Sequence, residues 1–210
     1  MKTIKVLAVL LIPLLFTGCF DVFQSVSLHD GEIEIALRYT LQAGLLEMIN
    51  GFSEEKIDIN ELLDEADATL PEYKGFSLGV TEINTSFHKG IEMRMAGNMD
   101  ALEVNDEKQY FLPIQNGSHY SILIPSMADG DELDEMGAAF LSGSMYTLLI
   151  DLSGDLQGVR DARLVYAGNT MLSSDEDSEL LVHIYGSSML VELPMLFMFL
   201  APDDFSIELY

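Results

Sequence analysis

VFQSVSLHDGEIEIALRYT, residues Val22–Thr40, is the stretch on which the fold turns. Asp30-Gly31 suits a two-residue type I′ turn, which needs positive φ at both positions. Folding the stretch about that turn predicts that Leu28 pairs with Ile33, Val26 with Ile35 and Val22 with Tyr39. Strand side chains alternate between faces, so these apolar residues share one side. Glu32, Glu34, Arg38 and Thr40 take the other side. The result is an antiparallel unit with one face for a core and one for water.

Working outward, the period changes after Leu41. Leu41, Leu45, Met48 and Ile49 share a helical face, and Gly51 can stop a short helix. Asp58 and Glu61 have capping-box spacing ahead of the stripe Ile59, Leu62, Leu63, Ala66 and Leu70, and Pro71 ends that helix. A second hairpin is expected about His88-Lys89-Gly90, with Phe87 facing Ile91, Thr85 facing Met93 and Ile83 facing Met95. Asn116-Gly117 marks a third turn, between Tyr110–Ile114 and His119–Ile124. Pro113 places the first of those strands at an edge or near its end. A further short helix is expected from about Asp131 to Leu141, where early acids favour the helix dipole. Strand-like runs follow at Tyr146–Leu152, Arg163–Ala167, Leu180–Tyr185, Met189–Leu193 and Phe205–Leu209, with a polar linker at Met171–Ser178. The expected class is α+β: mostly antiparallel meander and hairpins, with two or three short helices packed on one face. One domain over residues 19–210 is the simplest organisation, with a subdivision near 125–130 as the alternative.

Ahead of this domain lies a different kind of segment. Lys2 and Lys5 precede the apolar run Val6–Phe16, then Thr17, Gly18 and the single cysteine, Cys19. A basic start, an apolar centre and a small-residue exit make a secretory signal over residues 1–18. The apolar run is too short for a bilayer core, which takes about 20 residues. Phe16-Thr17-Gly18-Cys19 resembles the lipobox of bacterial lipoproteins, although Leu15 stands one place before the position that leucine usually holds. That resemblance implies a diacylglyceryl group on the Cys19 thiol, cleavage before it, and Cys19 as the first mature residue. The stretch Ser25–Tyr39 close behind it also resembles the start of spirochaete-type lipoproteins. It is similar to LppM-like bacterial lipoproteins, in which a strand–Asp-Gly–strand unit follows the lipidated cysteine. The likeness covers the first half of the chain. It implies an envelope lipoprotein, lipid-anchored on the extracytoplasmic side of a membrane, and supplies no binding residues.

Composition narrows the partners. Asp and Glu number 35 against 10 Lys and Arg, a formal net charge of −25. Such a surface repels nucleic acid, which is bound through Lys and Arg. One cysteine leaves no internal disulfide, so stability must come from burial.

Motifs with chemistry are sparse. His29, His88 and His119 sit beside expected turns and His183 in a strand, without metal-ligand spacing. The acids Asp129, Asp131, Glu132, Asp134 and Glu135, and Asp175, Glu176, Asp177 and Glu179, do not match a calcium loop. Ser53-Glu54-Glu55-Lys56 has the Ser-x-x-Lys core of penicillin-binding enzymes without their other elements. The sequence therefore names no catalytic residue, metal ligand or cofactor. The charge-free stretch Leu193–Ala201 offers Met195, Phe197, Met198 and Phe199 as the wall of a pocket for an acyl chain, or else as core. Three readings follow, in order: a non-catalytic, membrane-anchored binding or structural protein; a carrier or sensor for a hydrophobic ligand; and an envelope enzyme using paired carboxylates.

Overall fold

The structure, a computed structural model, describes residues 20–52, 73, 75–102, 108–128, 138, 141–172 and 179–210. Its first hairpin joins β1 (Phe20–His29) to β2 (Glu32–Gln42) in the expected register, with Val22 opposite Tyr39, Val26 opposite Ile35 and Leu28 opposite Ile33. Asp30 and Gly31 both hold positive φ, 52° and 78°, as a type I′ turn requires. Val22, Val26, Leu28, Ile33, Ile35 and Leu37 are all buried.

Helix α1 (Ala43–Phe52) follows and buries Leu45 and Leu46. Then come β3 (Phe76–Asn84), β4 (His88–Asn98), β5 (Pro113–Asn116), β6 (His119–Ile124), β7 (Met145–Asp151), β8 (Ala162–Tyr166) and β9 (Asn169–Leu172). The chain continues through β10 (Leu181–Tyr185), β11 (Ser188–Pro194), helix α2 (Met195–Leu200) and β12 (Phe205–Leu209). The strands make a seven-stranded sheet, ordered β10-β11-β7-β1-β2-β4-β3, and a five-stranded sheet, ordered β5-β6-β12-β8-β9. β1 runs antiparallel to β2 and parallel to β7. Inward residues of both sheets form one core. It includes Tyr146, Leu148 and Ile150 from β7, Met189, Val191 and Leu193 from β11, and Ile122, Ile124, Phe205 and Ile207 from the smaller sheet. The sheets therefore face each other as a sandwich.

The α+β expectation is corrected. Strands hold 58% and helices 13% of the structure, which makes it mainly β. The physical reason is that the inner face of each sheet is covered by the other sheet, the place where helices were expected. Helices α1 and α2 are the ones described whole. The expected helix over 58–70 lies outside the described residues. Of the one over 131–141 only Ala138 and Leu141 are described, both helical.

The second hairpin also differs. Ile83 lies opposite Gly90 and Val80 opposite Met93, five places from the expected register. An odd slip turns every β3 side chain to the other face. The turn is built by Thr85, whose Oγ1 accepts from the N–H of Phe87 (3.3 Å) and of His88 (2.9 Å). Gly90 serves β2 instead: a Cβ there would lie 1.9 Å from the Tyr39 carbonyl oxygen. The third turn and the edge position of Pro113, first residue of β5, are as expected. β9 occupies the start of the supposed linker.

Candidate functional site

The backbone register fixes which groups share each end of the sandwich. β1 begins at Phe20, the residue directly after Cys19. Phe20 lies opposite Leu41, and Leu41 opposite Lys89. The Phe20 N–H donates to Ser144 Oγ at 3.4 Å, and the Ser144 carbonyl accepts from Met195 N at 2.9 Å. The starts of β1, α1, β4, β7 and α2 thus form one rim. The opposite rim carries the β1–β2 turn and the acids Asp30, Glu32, Asp100, Asp151 and Asp155. Cys19 itself lies outside the described residues.

The outer face of the seven-stranded sheet holds a groove of about 630 Å³. Small side chains make its floor: Ser25 and Ser27 of β1, Ala36 of β2 and Ala96 of β4. Arg38 and Arg94 stand on one side, Glu34 and Asp151 on another. Between the arginines Glu92 is buried, accepting from Arg94 Nε at 2.6 Å and from Arg38 Nε. Burial alone would raise the Glu92 carboxyl, but the hydrogen bonds from Arg94 and Arg38 outweigh it and hold it below its ordinary value. Asp151 is also held low, by hydrogen bonds from Ser153 first and from His29 second. The groove is thus polarised, with guanidinium groups and carboxylates over a floor that lets a ligand backbone approach closely.

A second hollow lies on the inner side of β2 and β4, where Ile35, Leu37, Leu78, Met93, Met95 and Phe111 line an apolar recess of about 120 Å³. A third, of about 540 Å³, opens at the acidic rim between Asp30, Asp100 and Asp155. All three of those carboxylates are exposed.

The stretch Met195–Phe199 forms most of α2. Met195 and Met198 are fully buried in the core. Phe197 packs edge-on against Tyr166 (5.6 Å between centroids) and Phe205 (5.2 Å), and Phe199 is half-buried. None of the four lines the three hollows. The methionines that do line an apolar recess are Met93 and Met95, which sequence reasoning had assigned to a hairpin face.

The histidines are scattered. His29 contacts Asp151 at 3.2 Å, His119 lies 3.5 Å from Glu208, and His183 lies 3.9 Å from Glu192 on the outer face. His88 is at the other end of the β2–β4 pair from Asn98 and Glu32. Among the described residues no three His, Cys, Asp or Glu side chains converge to hold a metal ion. Glu179 is exposed, and the other acids of the two sequence clusters lie outside the described residues, as does Ser53–Lys56.

Sequence reasoning missed the Arg38–Glu92–Arg94 bridge and the exposure of Phe87. The first needs the β2–β4 register. The second had a local signal, because Thr85 can close a turn on its own side chain. No known family profile and no curated protein matches this chain.

Proposed function

We propose that this chain is an envelope lipoprotein, held by lipid on Cys19 on the extracytoplasmic side of a membrane. In this reading the sandwich binds a partner rather than transforming a substrate. One observation carries it: the lipobox-like Phe16–Cys19 abuts the first residue of β1. A lipid on Cys19 would then be tied to a central strand of the larger sheet with no intervening linker. Two or more acyl chains make such an anchor effectively permanent, since each buried methylene contributes about 0.8 kcal/mol. The outer-face groove, with paired arginines beside carboxylates, supports a polar partner such as another envelope protein.

The test is to grow cells on radiolabelled palmitate and compare the natural chain with Cys19→Ser. The natural chain takes up label and needs detergent for extraction; the serine variant stays unlabelled and is released in buffer. An unlabelled natural chain that is freely released overturns the proposal.

The apolar recess beside Met93 and Met95 favours a second reading, a small hydrophobic ligand. Its volume is close to that of a cavity that admits benzene, about 150 Å³, and far from a whole acyl chain. A native mass spectrum of protein from its own host would show the added mass.

A further inference from the structure

Phe87 is the most exposed large apolar side chain of the described residues, at 75%. Its surroundings are ordered by hydrogen bonds. Thr85 Oγ1 accepts from the Phe87 N–H at 3.3 Å, and the Phe87 carbonyl accepts from Ala43 N at 2.8 Å. A tight turn therefore holds an aromatic ring out into solvent. A lone exposed apolar residue is ordinary. This one is distinguished by its place.

The turn sits on the rim where β1 begins. β2 lies between β1 and β4, so the Phe87 turn stands about 10 Å sideways from Phe20, two strand spacings. Leu200 (60% exposed) and Met48 (41%) stand on the two helices that start from the same rim. His88 and Lys89 directly follow the phenylalanine. An aromatic ring beside a long basic side chain is the pairing found at membrane interfaces, where the ring enters the headgroup layer and the charge stays wet.

Asp30, Glu32, Asp100, Asp151 and Asp155 gather at the opposite rim, which anionic headgroups repel. On the β1 rim Asp204 is paired with Lys108 and accepts from Tyr110 Oη at 2.8 Å, and Asp21 lies near His88. Among the described residues Glu47, Glu82, Glu179 and Asp203 are exposed acids of this rim, so both rims carry carboxylates and the contact rests on the exposed Phe87 and its place beside Phe20.

We propose that this rim is a second membrane contact, with Phe87 seated in the headgroup layer beside the lipid on Cys19. The proposal rests on lipidation of Cys19. It adds an orientation: the strands stand on the bilayer, the rim of the β1–β2 turn faces away, and the outer-face groove opens sideways.

The test uses the full lipidated chain, purified from membranes and reconstituted in phosphatidylcholine vesicles with nitroxide-bearing acyl chains. Once its thiol carries lipid, Cys19 leaves an introduced cysteine as the only free thiol. Ser86→Cys reports from the Phe87 turn, and Ser118→Cys from the exposed β5–β6 turn at the far rim. Each is labelled with a small fluorophore. Quenching several-fold stronger at 86 than at 118, and reduced when Phe87→Ser is added to Ser86→Cys, supports the contact. Equal quenching at the two sites in protein that floats with the vesicles overturns the contact and leaves the anchor standing. Protein that does not float, with a free thiol at Cys19, overturns the anchor and the contact together.

Discussion

Glu92 shows how a single side chain can be buried in a strongly acidic protein. It lies in β4 between Arg38 across the sheet and Arg94 two residues along its own strand. Both arginines are partly exposed, so solvent screens the attraction and the bridge is worth far less than a buried pair. The carboxyl is depressed in the fold, so its contribution is complete above its ordinary value of 4.5 and is lost as pH falls through the lower folded value. Glu92→Gln should cost about 1–2 kcal/mol at pH 7. In urea unfolding followed from pH 7 down to about 3, the gap between variant and natural protein should close below about 4.5; a gap that stays constant contradicts the assignment. Gln24 poses the complementary case, a neutral polar group in the core. Its Oε1 accepts from the Tyr146 hydroxyl at 2.5 Å and its Nε2 donates to the Phe111 carbonyl at 2.8 Å. Phe111 holds φ of 65°, unfavourable for a bulky residue, and the bond from Gln24 fixes that strained turn to β1. In β1 Gln24 alternates in step with Val22 and Val26, and no local pattern marks the groups it bonds.

Elements were legible where the information is local. The β1–β2 register follows from a two-residue turn flanked by alternating apolar residues, and the structure has it. β12 occupies the expected Phe205–Leu209. The β3–β4 register was misread because Gly90 was taken for a turn residue. Its requirement is non-local: the β2 backbone passes where its Cβ would be. Gly90→Ala should therefore destabilise by about 2–3 kcal/mol through forced separation of β2 and β4. Gly79→Ala, on the neighbouring edge strand with nothing within 4 Å of the added carbon, should change stability little. Chemical denaturation of the two variants side by side checks this, and similar losses at both positions refute the close-approach explanation. The candidate site was legible to the same degree. Arg38 and Glu34 could be put on the outward face, but the groove between them needs β1, β4 and β7 brought alongside, which no local pattern encodes.

At the scale of the molecule, both sheets interleave the two halves of the chain. β7 pairs with β1, and β11 and β10 extend the same sheet from beyond it. In the smaller sheet β12 lies between β6 and β8. A break near 125–130 would strip β1 of its parallel partner and leave β6 without β12. Ile122 and Ile124 on one side of that point, and Phe205 and Ile207 on the other, belong to one core. The prediction is a single unfolding transition in urea, coincident by far-ultraviolet circular dichroism and by tyrosine fluorescence. Fragments ending at Ser126 or starting at Asp131 should each lack the amide protection that the intact protein shows in β1 and β12. A fragment that folds alone, or two separated transitions, would mean that the halves are independent units. The same wiring makes β1 pairing depend on residues more than a hundred positions away. Refolding should therefore be slow for the chain's size, because that long loop closes before its contacts repay it. Under the proposed lipid anchor on Cys19, the strand next to the anchor would be the one that waits for the second half of the chain.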